Sequence, residues 1–244
     1  MPPEPVKLPT LPEDWERALC IVAHPDDLEY GFASAIARWT SEGKQVSYLL
    51  ATRGEAGIDG LTPAEAGPLR EQEQRDGAKL VGVDAVEFLD FADGVVEYGL
   101  PLRRAFARAI RQHKPQVVVG SNFQERFAGG FTNQADHRAV GLAALDASKD
   151  AGNRWIFTEL LAEGLEPWSG VKFVCFGGSP NPTHGIDVSG FLDKGIASLR
   201  AHARYLEGLG EGFPEPEEML TWIAAAGGPS IDVEHAVLVE VFEV

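Results

Sequence analysis

The sequence predicts one α/β domain whose sheet is mainly parallel and sandwiched between helices. Three observations predict it. Short apolar runs alternate with helical spacings in the order β-α-β-α-β-α-β-α, which calls for a parallel sheet with helices on both faces. The first run, Leu19 to Ala23 (LCIVA), has no polar interruption, as in a strand covered on both sides. The chain has 244 residues, of which 44% are hydrophobic, enough for one core.

Residues 1–17 are expected to form an extended arm, because Pro2, Pro3, Pro5, Pro9 and Pro12 block a helix. Residues 18–244 then form the domain. Gly31 to Glu42 has helical spacing and ends at Gly43, a natural C-terminal cap. Val46 to Ala51 reads as the second strand. Pro63 to Leu80 reads as a long helix, opened by Thr62 with Glu65 three residues on, the spacing of a capping box; Gly67 and Pro68 predict an irregular start. Ala85 to Leu89 is the third strand, Leu100 to His113 the third helix, Gln116 to Gly120 the fourth strand and Gln134 to Lys149 the fourth helix. The last third is looser. Val171 to Phe176 and the stretch around Ile186 to Val188 read as strands, and Phe191 to Glu207 as a helix. Val237 to Val244 is broken by Glu240 and Glu243, which fits a strand near the sheet edge. The expected architecture is a Rossmann-like three-layer fold with an antiparallel C-terminal part. Gly208 to Gly212 is no dinucleotide fingerprint, because it follows a helix rather than a strand.

Composition excludes several functions. Lys+Arg 21 against Asp+Glu 37 gives a net charge of −16, the wrong sign for a nucleic-acid surface. No apolar stretch nears the roughly 20 residues of a membrane helix. Cys20 and Cys175 alone make neither a disulfide framework nor a cysteine-based zinc finger. The expectation is a cytoplasmic protein with no nucleic acid and no membrane as partner. Oligomeric state is open, a homo-oligomer included.

In an open parallel sheet, ligands bind beyond the carboxyl ends of the strands. The residues there are His24-Pro25-Asp26-Asp27, Thr52-Arg53-Gly54-Glu55, Asp90 with Asp93-Gly94, and Ser121-Asn122 followed by Asn133 to His137. His24 and Asp27 stand three apart at a strand-to-helix turn, with Pro25 suited to the first helical position. His137 adds a second imidazole from the fourth helix. Two His and one carboxylate form a ligand set of catalytic zinc in hydrolases, and Asp26 is then free to act as a base. The plainer alternative is ordinary capping by acidic residues at a helix start.

These residues also carry a family resemblance. Ala23-His24-Pro25-Asp26-Asp27-Leu28-Glu29 resembles the AHPDDxE signature of the LmbE-like (PIG-L) de-N-acetylases. Thr52 to Gly57 is similar to the family's TxGExG segment, and Leu69 to Glu73, running on to Val83, to its RxxE helix ending in LGV. Asp136-His137 matches the end of its HPDH motif, and Lys194, Ala197 and His202 resemble a later element. The resemblance spans about residues 18 to 205. It implies metal-assisted removal of an acetyl group from an N-acetylglucosaminyl conjugate or similar amide. It assigns His24, Asp27 and His137 to the metal, Zn2+ with Fe2+ as the alternative divalent ion, and Asp26 to the base. Arg70 and Asp93 align with substrate-contacting positions. One departure stands out. Gln134 and Ala135 replace the His-Pro of HPDH, so the oxyanion is left to the neutral amide of Gln134 or to a substitute such as His184. Two other readings stay open: an amidase for a larger acyl group or thiol conjugate, and a metal-containing binding protein with impaired catalysis.

Overall fold

A computed structural model describes residues 6–210 and 212–244. Pro2, Pro3 and Pro5 of the expected arm lie outside the described residues. In chain order the elements are β1 (Arg17–Val22), α1 (Asp27–Gly31), α2 (Ala33–Ser41), β2 (Gln45–Leu50), α3 (Pro63–Leu80), β3 (Ala85–Phe88), α4 (Leu100–His113), β4 (Val117–Ser121) and α5 (Ala135–Asp150). They continue with α6 (Glu159–Ala162), β5 (Phe173–Gly177), β6 (His184–Asp187), α7 (Leu192–Arg200), α8 (Ala203–Gly208), α9 (Pro216–Gly227) and β7 (Ala236–Glu243).

The seven strands form one sheet in the order β3-β2-β1-β4-β5-β7-β6. The first five are parallel, and β7 runs antiparallel to both β5 and β6. This is the three-layer α/β fold with an antiparallel C-terminal part that the element order predicts. Strand alternation divides the core. Ala18, Cys20 and Val22 face a cluster with Ile36, Trp39 and Ala78, whereas Leu19 and Ile21 face Phe106, Val140 and Ala143 on the other side. Glu240 and Glu243 fit because β7 lies next to the edge rather than in the middle. The edge itself is β6, where Thr10 bridges to Gly185 and so covers part of its open side.

Several local expectations change. The helix expected from Gly31 to Glu42 is α2, and a short helix, α1, precedes it, parted from it at Phe32 (φ −133°). Pro25 is not the first helical residue. Asp26 is the cap, in the left-handed region at φ 89°, and Asp27 opens α1. Helix α3 runs unbroken through Pro68, and its capping box is made: Glu65 accepts hydrogen bonds from the Thr62 backbone N–H at 3.0 Å and its hydroxyl at 2.7 Å. The predicted helix from Phe191 to Glu207 breaks at His202 into α7 and α8. Helix α9 went unpredicted, although Pro216 followed by Glu217 and Glu218 is a regular helix start.

Candidate metal centre and active site

The turn after β1 is built around Asp27. Its Oδ2 accepts the backbone N–H groups of Ala23 and His24, each at 3.0 Å, which folds the chain back on itself as the strand ends. That leaves Oδ1 facing His137 Nε2 at 2.9 Å. His137 sits in the first turn of α5, on the neighbouring side of the cleft. Its Nδ1 lies 2.9 Å from Asn133 Oδ1, and Asn133 is pinned in turn by donating to the carbonyls of Asn122 at 2.6 Å and Gln124 at 2.9 Å. On the far side of the His24 ring, Nε2 meets Asp93 Oδ1 at 3.0 Å and Asp136 Oδ2 at 3.3 Å. His24 Nδ1 therefore points at His137 Nε2, 3.2 Å away.

One atom each of His24, Asp27 and His137 lies within 4.8 Å of the other two, as a shared ion requires. The donor chemistry fits a divalent cation. Each imidazole directs one nitrogen to an oxygen acceptor, which fixes its tautomer, and keeps the other for the centre. Two nitrogen lone pairs and a carboxylate oxygen converging on one point call for positive charge there. In the protein alone that charge comes from protons. Burial opposes charging His24, but hydrogen bonds to Asp136 and Asp93 and the charge of Asp27 overcome it and lift the imidazole to about 10. Burial likewise opposes ionising Asp27, yet the charge and hydrogen bond of His137, with the charge of His24, hold it well below the usual carboxylate range.

Asp26 projects beside this cluster, 5% exposed. Its left-handed backbone costs an aspartate about 1 kcal/mol and persists only where neighbours hold it. Gln74 Oε1 accepts the Asp26 N–H at 3.0 Å, and Arg70 Nη2 donates to Asp26 Oδ2 at 3.1 Å and to Pro25 O at 2.6 Å. Burial raises the Asp26 carboxyl, the Arg70 cation lowers it and the Asp27 charge raises it again, leaving it at about 6.

Arg70 is 2% exposed and wedged against Gly54, where any side chain would strike its guanidinium at 2.4 Å; its cation also lies 4.0 Å over the Tyr205 ring. It faces Asp26 rather than open solvent. Asp93 is directed at His24 and accepts the Ala56 N–H at 2.8 Å. Glu55 ties the same two loops, accepting the N–H groups of Asp93 at 3.0 Å and Arg53 at 3.1 Å. Gln134 caps α5 with its residue exposed, one turn from His137. His184 is not brought to the cluster. It starts β6, four strand positions from β1 and so roughly 19 Å away at the usual strand spacing, and its ring meets the Thr183 hydroxyl. Asn133 stands among the loop residues read from the sequence but without a role, and Gln74 has none there either. Asn133 stands four residues before His137, a spacing that could have drawn attention to it.

Fold and site together define an α/β protein with a His-Asp-His cluster at the carboxyl edge of its parallel strands, flanked by a buried aspartate. Residues 19–148 match the family model described as PIG-L, GlcNAc-PI de-N-acetylase, and the chain belongs to that family. It is 30% identical to the diacetylchitobiose deacetylase of Thermococcus kodakarensis over 191 residues, 78% of this chain and 70% of that one. It is 28% identical to the 1D-myo-inositol 2-acetamido-2-deoxy-alpha-D-glucopyranoside deacetylase of Mycobacteroides abscessus over 91% of each chain. The solved N,N'-diacetylchitobiose deacetylase of Pyrococcus horikoshii superposes with a TM-score of 0.83 at 23% identity, covering 94% of this chain and 85% of that one, which shows the shared fold. No helix among the described residues is long and apolar enough to cross a membrane.

Proposed function

We propose that this chain is a metal-dependent N-deacetylase that releases acetate from an N-acetylglucosaminyl conjugate or similar small amide. The observation that carries the reading is the convergence of His24, Asp27 and His137 on one point with Asp26 alongside. The named activities of the relatives supply the substrate class.

Those three residues would hold a divalent cation, Zn2+ or alternatively Fe2+, both of which accept two imidazoles and a carboxylate. Such a cation supplies Lewis acidity, polarising a carbonyl oxygen and making water a stronger acid. The chain's own residues do the rest. Asp26 takes a proton from the attacking water as its oxygen adds to the acetamide carbon. The C–N bond then breaks, and Asp26 returns that proton to the departing nitrogen, leaving acetate and a free amine. Burial raises the pKa of the Asp26 carboxyl above the ordinary range, which makes it a better acid for the return step than an exposed aspartate. A nearby cation draws this value down, so Arg70 and the cation together keep Asp26 ionised at the start of the cycle. Asp93 and Asp136 hold the His24 ring from behind. Gln134, exposed at the start of α5, offers a neutral N–H to the developing oxyanion in place of an imidazolium.

Acetate release from a panel of N-acetylglucosaminides, measured with added Zn2+ and with a chelator, tests this reading. Zinc-dependent release that drops at least about 1,000-fold in metal-replete Asp26→Asn is expected. Near-parental release by that variant removes Asp26 from the base position.

A further inference from the structure

Helix α3 presents Arg70 and Gln74, four residues apart, on one buried face directed at the Asp26 turn. Arg70 grips the carboxylate. Gln74 grips the backbone: its Oε1 accepts the N–H of the one residue in the site that stands at φ 89°. The amide has no freedom to do otherwise. Its Nε2 donates to Glu29 Oε1 at 2.9 Å, which fixes which end of the amide faces Asp26. The Ser198 hydroxyl sits behind Glu29, its single proton shared between Glu29 Oε1 at 3.2 Å and Gly77 O at 2.9 Å. His202, fully buried at the α7–α8 break, places Nε2 3.7 Å from the other Glu29 oxygen. Gln74 itself has no exposed surface, so no substrate reaches it.

We propose that Gln74 is a positioning residue for Asp26. It locks the left-handed turn that carries the Asp26 carboxylate, and its own amide is oriented by Glu29, with the Ser198 hydroxyl behind. This inference rests on the reading of Asp26 as the base. A purely structural amide would support the fold without acting through Asp26, and a mutant cycle separates the two roles.

The experiment compares parent, Gln74→Met, Asp26→Asn and the double variant, each as full-length zinc-loaded protein. Initial rates of acetate release and zinc content are measured for all four. Gln74→Met is expected to lower kcat on the order of 10- to 100-fold with KM and zinc content close to those of the parent. In the Asp26→Asn background the same substitution is expected to change the residual rate by less than about twofold, because the group it positions is already disabled. Losses that multiply in the double variant overturn the proposal, as does a rise in KM at unchanged kcat or a parallel loss of zinc. Near-parental turnover of Asp26→Asn overturns the base assignment and this proposal together, whereas multiplying losses overturn this proposal alone. If Gln74→Met does not fold, Gln74→Asn keeps an amide in the pocket but withdraws it by one methylene, and the same cycle with the same expectations applies.

Discussion

His24 Nδ1 lies 3.2 Å from His137 Nε2, although the two residues are 113 apart in the chain. Each ring is held in place from its opposite side, His24 by Asp93 and Asp136 and His137 by Asn133. The two loops that deliver them leave adjacent strands, β1 and β4, so sheet order alone makes them neighbours.

Asn133 is expected to set metal affinity without touching the metal. Removing its side chain frees the His137 tautomer and ring orientation. Asn133→Ala is expected to weaken zinc binding 10- to 100-fold, measured by competition with a chromophoric chelator. Unchanged affinity in a folded variant would show that His137 needs no such support.

Gln134 is expected to limit turnover. Gln134→Ala should lower kcat about 100-fold, the usual effect of losing one oxyanion donor. Gln134→His is expected to raise kcat above the parent and to add a pH dependence from the new imidazole. Parental kinetics in both variants would exclude position 134 from the reaction.

The pH dependence of the metal-free protein follows from His24. A folded pKa of about 10, above the ordinary 6.5, contributes stability that is complete below about 6.5 and disappears as pH rises through about 10. Asp26, at about 6, has the same sign at lower pH: its contribution is present below about 4 and lost by about 6. Between pH 7 and pH 10 the melting temperature of chelator-treated protein is therefore expected to fall by about 5 °C or more beyond the change in a His24→Gln variant. Zinc-loaded protein, whose His24 is a neutral ligand, should show a smaller fall. Parallel curves for parent and His24→Gln would contradict the assignment.

Gly54 is expected to be intolerant of a side chain. It stands at φ +63°, and a Cβ there would meet the Arg70 guanidinium at 2.4 Å and Pro25 at 2.9 Å. Gly54→Ala should lower stability by about 2 kcal/mol and turnover at least tenfold, read by denaturant unfolding and acetate release. A silent substitution would mean that Arg70 is not clamped as described.

The sheet was legible because its central strands are continuous apolar runs, and Leu19 to Ala23 declares burial on both faces without any partner in view. The cluster was legible where its members are close in sequence, as His24 and Asp27 are. Gln74 and Arg70 were obscured by the character of α3. Its buried face mixes Arg70, Glu73 and Gln74 with only small residues, Ala66, Gly67, Gly77 and Ala78, so hydropathy barely marks an inward side, and Arg70 read as a substrate contact. The break at His202 was hidden for a related reason. The periodicity of α7 runs on into α8, and the interruption lies in the His202 backbone, at φ −82° and ψ 46°. Nothing in the sequence around His184 shows that β7 inserts between β5 and β6 and so leaves it at the far edge of the sheet.

The central claim is that three side chains grip one cation on which hydrolysis depends. Zinc content by elemental analysis, with acetate release from the same samples, tests it for the parent and for a His24→Ala, Asp27→Ala, His137→Ala triple variant. About one zinc per parent chain is expected, with none in the variant, and release abolished by chelator and restored by zinc. Equal zinc in both proteins, or release that survives complete chelation, would contradict the account.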